Sequence, residues 1–248
     1  MRLELDIGNT FVKWRLLGLK GAVCDRGKIP TNEEAPNFIK KSYFYSEITV
    51  VLVSCVSSSE LEASVCQLFN SESSSVKVYK ALATKIMCGV EFIYQDVSSL
   101  GVDRCLAMVA AYDKFPGGVM VVDCGSAMTA DLILATGRHV GGYIFPGFSL
   151  LKRSLLSGTS KVITKKEVKP MLGLGDSTEA CVDNGVQMMM HSTLHGLIRL
   201  AESYNVANVV LTGGDGLLAK SMLEDNVEYD EDLVFRGLGM VNLCASGQ

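Results

Sequence analysis

An aspartate, a tight turn and a lysine lie close together near the start of the chain, in a pattern that suits phosphate binding. Asp6 ends a short alternating strand, Gly8 and Asn9 favour a tight turn, and Thr10 and Lys13 follow on a second strand. Turn amides, a hydroxyl and a cation can hold a phosphate group, and a carboxylate beside them can face a metal ion or its bound water. Most turns of this composition are only turns, so this stretch alone leaves both interpretations open.

The same plan returns in the second half of the chain. Residues 120–134 have the pattern of an apolar strand, a bend at Asp123 and Gly125 followed by Ser126, and a second strand. A third bend, at 213–214, follows another apolar strand. Its two glycines have no side chains to shield their backbone amides, so these amides could bind a flat or anionic ligand. Three glycine bends, each at the end of an apolar strand, predict a nucleotide cleft between two related lobes.

Asp103 and Arg104 lie where a helix of small residues begins, and two interpretations fit them. In the first, which the local pattern favours, Asp103 is a helix-capping carboxylate and Arg104 is a surface charge. In the second, Asp103 is a positioned base and Arg104 binds an anion. The preceding residues 94–99 have the composition of a loop that leads into this helix.

The elements that must position these residues follow an α/β pattern. The β-branched run 48–55 predicts a strand buried on both faces, and a helix and the strand 76–79 follow it as a parallel crossover unit. The segment 116–118, Pro-Gly-Gly, is the one convincing boundary. We therefore predict an N-terminal lobe at residues 1–116 and a C-terminal lobe at residues 117–248.

A long helix is predicted after residue 176. Asp176 and Glu179 make a capping-box pattern, and Thr178 lies within it. The apolar stripe along the helix is broader than one core face requires. This width predicts a subunit interface in addition to a core contact.

Composition and charge limit the partners of the chain. Its 248 residues are 48% hydrophobic and 20% charged, with a formal net charge of -4, which is typical of an ordered globular protein without a nucleic-acid surface. The eight cysteines include no C-x-x-C pair, which predicts reduced, buried thiols and argues against a metal or disulfide role. The sequence has no signal-peptide pattern and no apolar run of membrane length, so we expect a cytoplasmic protein with no membrane partner.

Six motifs follow one another along nearly the whole chain. They are DIGNT at 6–10, GVDR at 101–104, DCGSAMT at 123–129, GGYIFPG at 141–147, STEA at 177–180 with Gly185 downstream, and LTGGD at 211–215. Together they resemble the type III pantothenate kinases, in the superfamily of acetate and sugar kinases, heat-shock chaperones and actin. The resemblance implies two ribonuclease-H-like lobes with mixed sheets flanked by helices. It also implies a kinase that uses ATP and Mg²⁺ to phosphorylate the primary hydroxyl of pantothenate, giving 4′-phosphopantothenate in the first step of coenzyme A biosynthesis.

The resemblance implies roles for individual residues as well. Asp103 would be the catalytic base, Asp6 would orient Mg²⁺ or its bound water, and Asp123 would lie beside a monovalent cation, K⁺ or NH₄⁺. The implied ATP-binding residues are Asp6, Ile7, Gly8, Asn9, Thr10, Phe11, Val12, Lys13, Gly125 and Ser126. The implied substrate-binding residues are Tyr94, Gly101, Val102, Asp103, Arg104 and Thr178. Thr178 would reach the substrate from the partner chain, so the resemblance implies a homodimer with a shared active site.

The chain departs from the family's pattern at two sites, Ser126 and the pair Asp96-Val97. Ser126 stands where threonine is usual, so the hydroxyl is kept and the methyl group is lost, and we expect a weaker contact. Asp96 and Val97 stand where many members have Asn-Pro. This second departure puts the backbone contacts of the substrate loop in question.

Two other functions are compatible with the same motifs. Members of the family have been called transcriptional accessory factors, so one alternative is a nucleotide-binding regulator, although the chain has no basic patch for direct DNA contact. The other is a kinase of a different small hydroxy acid or sugar, because glycine bends bind phosphates and say little about the acceptor. Turnover of ATP with pantothenate and with other hydroxylated acceptors distinguishes these alternatives.

Overall fold

The chain folds into two units, each built around a sheet of five strands. The structure, a computed structural model, describes residues 1–18, 20–42, 44–70, 75–158, 172–223 and 227–245. One unit contains Met1–Asp113 together with Asp232–Gln248, and the other contains Lys114–Glu231. The division lies close to the predicted boundary after residue 116. The C-terminal segment, however, groups with the first unit, which differs from the predicted second lobe at 117–248.

The helices and strands alternate along the chain as the sequence predicts. The first unit begins with β1 (Arg2–Ile7), β2 (Phe11–Leu17), β3 (Val23–Pro30), α1 (Ala35–Lys41), β4 (Val50–Cys55), α2 (Ser59–Gln67), β5 (Lys77–Lys80), β6 (Ile86–Met87), β7 (Val90–Glu91) and α3 (Val102–Lys114). Next come β8 (Gly118–Cys124), β9 (Ala127–Leu134), β10 (His139–Pro146), α4 (Phe148–Gly158), α5 (Thr178–Ser203), β11 (Asn208–Thr212), α6 (Gly216–Lys220), β12 (Glu228–Tyr229) and α7 (Leu233–Ala245). None of the helices among the described residues has the length and hydropathy of a membrane-spanning segment.

The two large sheets have the same strand order. In the first, β3-β2-β1-β4-β5, the central strand β1 is antiparallel to β2 and parallel to β4. In the second, β10-β9-β8-β11-β12, the central strand β8 is antiparallel to β9 and parallel to β11. Each sheet therefore opens with a hairpin and adds its parallel strands through helical crossovers. This topology confirms the predicted α/β class with two ribonuclease-H-like sheets.

Side chains alternate along β1, because successive residues of a strand point to opposite faces. Leu3, Leu5 and Ile7 are fully buried in a core shared with residues of α1 and α2. Glu4 and Asp6 lie on the opposite face of the sheet. The strand register places Lys13 of β2 and Ser54 of β4 directly beside Asp6.

The C-terminal helix α7 packs on β1 and β4, which explains why it belongs to the first unit. Arg15 of β2 links the two: its Nε donates to Glu4 Oε2 at 2.7 Å, and its Nη1 donates to Asp232 Oδ2 at 3.0 Å. The guanidinium group also lies 5.1 Å from the centre of the Phe235 ring. Glu4 and Arg15 are both buried, so each charge has lost its hydration shell and is stabilised by the ion pair with the other. The apolar sequence of α7 predicts burial but does not tell which sheet it covers.

The core of the second unit lies between its sheet and α5. Strands β8, β9 and β11 contribute Met120, Val122, Met128, Leu132 and Leu211, and α5 contributes Val186, Met190, Leu194 and Leu197. The N-cap of α5 is Ser177, whose Oγ accepts the Ala180 N–H at 3.3 Å. The sequence predicted Asp176 instead, because serine and aspartate cap helices about equally well and the two residues are adjacent.

Residues 80–100 contain structure that the sequence did not predict. They form the short hairpin β6–β7 and a 3-10 turn at Val97–Ser99. A strand of two residues cannot display the alternation of apolar and polar residues that identifies longer strands. The pattern of apolar and polar residues therefore does not predict this hairpin.

Gly237 of α7 provides a test of how closely α7 packs on α3. A Cβ atom at this position would overlap the backbone of Leu106 in α3, which cannot turn aside as a side chain could. We expect Gly237→Ala to lower the free energy of unfolding by about 2–3 kcal/mol, as overpacking does. Urea denaturation of the purified variant measures this change.

Gly239→Ala is the matched control, because Gly239 lies on the same helix and a Cβ atom there comes no closer than 3.8 Å to its neighbours. Alanine has the higher helix propensity, so stability should stay the same or rise by up to about 1 kcal/mol. Equal destabilisation by both substitutions would contradict the close packing of α3 and α7.

Candidate active site

The turn between β1 and β2 spans Gly8, Asn9 and Thr10, one residue more than the predicted pair Gly8-Asn9. The Gly8 N–H donates to the Phe11 carbonyl at 3.0 Å and closes the turn. Thr31, just after β3, holds it from the side: its Oγ1 donates to the Gly8 carbonyl at 2.8 Å and its N–H donates to the Thr10 carbonyl at 2.9 Å. Asn9 and Thr10 are exposed, so the predicted phosphate-binding residues lie on an accessible, braced turn.

Asp6 lies at the end of β1, with 8% of its surface exposed. The Ser54 hydroxyl donates to Asp6 Oδ1 at 3.2 Å, which orients the carboxylate from the parallel strand. Ser54 was not predicted as a site residue, and its only signal was a single polar residue near the end of a β-branched run. Lys13 is half-buried on the antiparallel neighbour of Asp6. An acid and a cation therefore occupy neighbouring positions on one face of the sheet.

Three predicted ATP-binding residues differ in what their side chains can contact. Ile7 and Val12 are fully buried in the core on the opposite face from Asp6. Only their backbone groups could therefore contribute to a phosphate site. Phe11 is 38% exposed, and the Lys28 ammonium lies 5.0 Å from the centre of its ring.

The bend between β8 and β9 contains Gly125 and Ser126 and is held from two sides. The Gly125 N–H donates to the Ala127 carbonyl at 3.1 Å, and the Gly147 N–H donates to the Ser126 carbonyl at 3.1 Å. Gly147 lies so close to the bend that a Cβ atom there would overlap the Gly125 and Ser126 carbonyls. This contact explains the last glycine of the motif GGYIFPG. The side chain of Ser126 is exposed.

Asp123 lies at the end of β8, against the third glycine bend. Gly213 has φ +87°, and a Cβ atom there would overlap Asp123 Oδ1 and the Cys124 carbonyl. The Asp215 N–H donates to the Cys124 carbonyl at 2.9 Å, which keeps the two bends together. The pKa of the Cys124 thiol is raised to about 12, mainly by burial and in addition by the nearby carboxylates of Asp123 and Asp215. Two carboxylates, Asp123 and Asp215, therefore lie near the end of β8.

The first turn of α3 brings three predicted substrate residues together. Arg104 is buried, with 9% of its surface exposed, and its Nη1 donates to the Tyr94 hydroxyl at 3.3 Å. This burial contradicts the alternative in which Arg104 is a surface charge. Asp103 Oδ1 accepts the backbone N–H of Arg104 at 2.8 Å. Gly101 leaves room for this carboxylate, because a Cβ atom at 101 would lie 2.5 Å from Asp103 Oδ1.

Asp96 and Val97 shape the loop between Tyr94 and α3. Asp96 Oδ1 accepts the Ser98 N–H at 3.0 Å and the Ser98 hydroxyl at 2.6 Å, bonds that an asparagine oxygen could also accept. The Ser98 hydroxyl bond is the main reason that the pKa of Asp96 is below its usual value. Val97 is the first residue of the 3-10 turn, a position where proline is tolerated. Both residues therefore have a local role in the turn that leads to α3.

Thr178 is the first residue of α5, and it is exposed. It lies in the second unit, whereas Tyr94, Asp103 and Arg104 lie in the first. It lines an open depression with Leu155, Gly175, Asp176, Ser177, Cys181 and Val182. A hydroxyl at the start of a long helix is therefore accessible on the surface of its unit.

The chain is similar to known proteins over nearly its whole length. A family model described as type III pantothenate kinase matches residues 2–200. A type III pantothenate kinase from Marinobacter nauticus is 34% identical over 239 residues, which cover 96% of each chain. One from Hahella chejuensis is 36% identical over 241 residues, again covering 96% of each chain.

A solved structure supports the fold independently. That of a Baf family protein from Campylobacter jejuni matches with a TM-score of 0.62 and 21% identity, covering 99% of this chain and 100% of that one. The match extends across both sheets, and at this identity it shows the fold alone. The family model and the relatives above 30% identity decide the assignment: the chain belongs to the type III pantothenate kinase family.

Proposed function

We propose that the chain transfers the γ-phosphoryl group of ATP to the primary hydroxyl of pantothenate, in the cytoplasm, as the first step of coenzyme A biosynthesis. Its family consists of kinases, which use ATP and a divalent metal ion. The observation that carries the proposal is the group at the start of α3, where Asp103 adjoins the buried Arg104 and its partner Tyr94. An acceptor with a hydroxyl and a carboxylate needs a proton acceptor and a cation close together.

The turn after β1 supports a role in holding the phosphates. Gly8, Asn9 and Thr10 offer backbone amides and a hydroxyl, and Lys13 adds a positive charge. Mg²⁺, when bound, would neutralise charge on the phosphate oxygens. Its usual ligands are one or two carboxylates with phosphate oxygens and water, and the oriented carboxylate of Asp6 fits such a set. Gly125 and Ser126 would bind the same nucleotide through an amide and a hydroxyl.

Asp103 would accept the proton of the substrate hydroxyl. Its Oδ1 accepts the N–H of Arg104, and this bond holds the carboxylate in one orientation. Phosphoryl transfer passes through a loose transition state in which the acceptor loses its proton late, so no strong base is required. Positioning is therefore the main contribution that this residue makes.

Arg104 and Tyr94 would bind the carboxylate and amide groups of pantothenate. The Arg104 guanidinium lies beside the Tyr94 hydroxyl, to which it donates, and hydrogen bonds from a guanidinium to a carboxylate are stronger than those between neutral groups. A planar guanidinium also binds a carboxylate through two parallel hydrogen bonds. Arg104 therefore favours an acidic acceptor over a neutral sugar.

Asp123 would hold a monovalent cation, K⁺ or NH₄⁺. Two carboxylates, Asp123 and Asp215, act on the Cys124 thiol between them in sequence. Phosphate groups brought to this bend would be repelled by that negative charge. A bound cation would relieve the repulsion, and a carboxylate is a suitable ligand for it.

A homodimer would complete the site through Thr178. Apolar residues are exposed on α5 at Met188 and Met189, with 55% and 54% of their surfaces accessible, and on β10 at Tyr143 and Ile144, with 51% and 67%. Exposed apolar side chains of this kind are typical of a surface that a second copy covers. The partner's α5 would then carry its Thr178 to the substrate.

The kinase proposal is tested by measuring ADP release with pantothenate and with other hydroxy acids and sugars. We expect pantothenate to be the preferred acceptor, and we expect Asp103→Asn to lower kcat by about 10²-fold or more while nucleotide binding is kept. Asn keeps the size of the side chain but accepts no proton. Calorimetric titration with a nonhydrolysable ATP analogue measures the binding.

Asp96→Asn is the matched control for this substitution. Asp96 lies in the preceding loop, and its carboxylate oxygen only accepts bonds from Ser98. We expect its kcat within about twofold of wild type. Preference for another acceptor would support a different kinase, absence of turnover with every acceptor would support a regulator, and near wild-type activity in Asp103→Asn would remove the base assignment.

The role of Asp123 predicts a dependence on monovalent cations. We expect activity to be low in sodium-only buffer and to rise when potassium replaces sodium at constant ionic strength, because K⁺ would offset the charge of Asp123. Initial rates across a potassium titration provide the measurement. In Asp123→Asn the potassium response should be largely lost. Equal wild-type rates in the two salts would contradict the cation site.

The shared site predicts complementation between two inactive variants. Asp103→Asn and Thr178→Trp each disable a site, and mixing them allows subunits to exchange. If each site uses Asp103 of one chain and Thr178 of the other, a mixed dimer has one site with both lesions and one intact site. Up to half of the sites in mixed dimers then regain activity.

The control for this experiment is each variant mixed with itself and treated identically. Sedimentation analysis confirms that the variants remain folded and dimeric. If mixed dimers form and no activity returns, each chain serves its own site. That outcome refutes sharing and leaves the kinase proposal standing.

A further inference from the structure

Cys88 and Cys244 are far apart in sequence and adjacent in the first unit. Their Sγ atoms lie 2.8 Å apart, across a separation of 156 residues. Cys88 is in the turn of the β6–β7 hairpin, and Cys244 is in the last turn of α7. A disulfide bond is about 2.05 Å long, so the sulfur atoms need to approach by less than about 1 Å.

The backbone at Cys88 is unusual for cysteine. The turn contains Cys88 with φ 42° and Gly89 with φ 87°. In the described part of the chain, Asn205 is the only other residue besides glycine with positive φ. Asparagine and glycine adopt this conformation readily, whereas cysteine pays a conformational penalty. The conformation of the turn therefore does not favour cysteine at position 88.

We propose that Cys88 and Cys244 form a reversible disulfide with a low-molecular-weight disulfide as the oxidant. One thiolate attacks the oxidant, forms a mixed disulfide and releases one small thiol. The second thiolate attacks the mixed disulfide, forms the Cys88–Cys244 bond and releases a second small thiol. Two protein thiols are oxidised, one small disulfide is reduced to two thiols, and both protons pass to water or to the released thiols.

The environment of the two sulfurs sets the order of these steps. Cys244 is exposed and Cys88 is half-buried, so neither is the fully buried thiol that the sequence predicts. The pKa of Cys88 is raised to about 12, mainly by burial and in addition by Cys244 and Asp113. Cys88 is thus protonated at neutral pH, and thiolates are the reactive species. Cys244, the exposed thiol, is therefore the first nucleophile, and Cys88 loses its proton to solvent as it attacks the adjacent mixed disulfide.

The disulfide would link two segments that contact candidate active-site elements, the β6–β7 hairpin and α7. The hairpin that ends in Glu91 leads directly into Phe92, whose N–H donates to the Lys85 carbonyl, and the Lys85 ammonium donates to the Tyr94 carbonyl at 3.1 Å. The other end, α7, covers the strand that carries Asp6. Oxidation would therefore fasten the segment before Tyr94 to the C-terminal helix.

The test exposes the whole purified protein to glutathione buffers of increasing GSSG content, followed by alkylation, trypsin and mass spectrometry. Trypsin releases Cys88 in peptide 86–104 and Cys244 in peptide 237–248, each with a single cysteine. We expect these two peptides to appear as a linked pair that dithiothreitol separates. In the same buffer the linked fraction should be at least about tenfold larger than the fraction of Cys24 that carries glutathione, because the two thiols are held together.

Cys24 is the internal control, since it is an exposed cysteine at the edge strand β3. In Cys244→Ser the linked pair should vanish while Cys24 reacts as before, and Cys24→Ser should keep the linked pair. Both variants replace an exposed side chain, so we expect both to fold like the wild-type protein. The decisive buffer is one in which Cys24 already carries glutathione. If Cys88 and Cys244 are then recovered in separate peptides, alkylated or bearing glutathione, the proposal is wrong.

Discussion

The alternation of side chains along β1 determines what the first sheet presents at its end. β1 is the central strand, so a shift of one residue would move every side chain to the opposite face. In the observed register Leu3, Leu5 and Ile7 are buried under α1 and α2. Asp6 is then fixed on the other face, beside Lys13. The position of this carboxylate thus follows from the packing of its apolar neighbours, and the turn, the lysine and Ser54 are arranged around it.

The second sheet repeats the strand order but fixes its acid by a different contact. Asp6 receives a hydroxyl from Ser54 on the parallel neighbour β4. Asp123 instead lies against Gly213, just beyond the parallel neighbour β11, where no side chain fits. Both bends are held by backbone hydrogen bonds, and the second is also packed closely against Gly147 and Gly213. The two halves therefore share a topology and differ in the contacts made by the acid at each bend.

Local patterns in the sequence predicted the hairpins, the buried strand β4 and the bends, because alternation and glycine position act over a few residues. Contacts between distant residues were not predictable in this way: Ser54 and Thr31 lie 48 and 23 residues from the groups that they hold. The covering of the first sheet by α7 was missed for the same reason. The shift of the α5 cap from Asp176 to Ser177 reflects two adjacent residues with nearly equal capping preference.

The contact between α7 and the first sheet has a consequence for synthesis of the chain. Arg15 and Asp232 are 217 residues apart, so the ribosome makes the first sheet long before the helix that covers one of its faces. Until then Glu4 and Arg15 can pair with each other, but Arg15 lacks Asp232 and the face that carries them lacks α7. Contacts of such long sequence separation form slowly. The nascent first unit must therefore wait, incompletely covered, while the entire second unit is translated and free to fold.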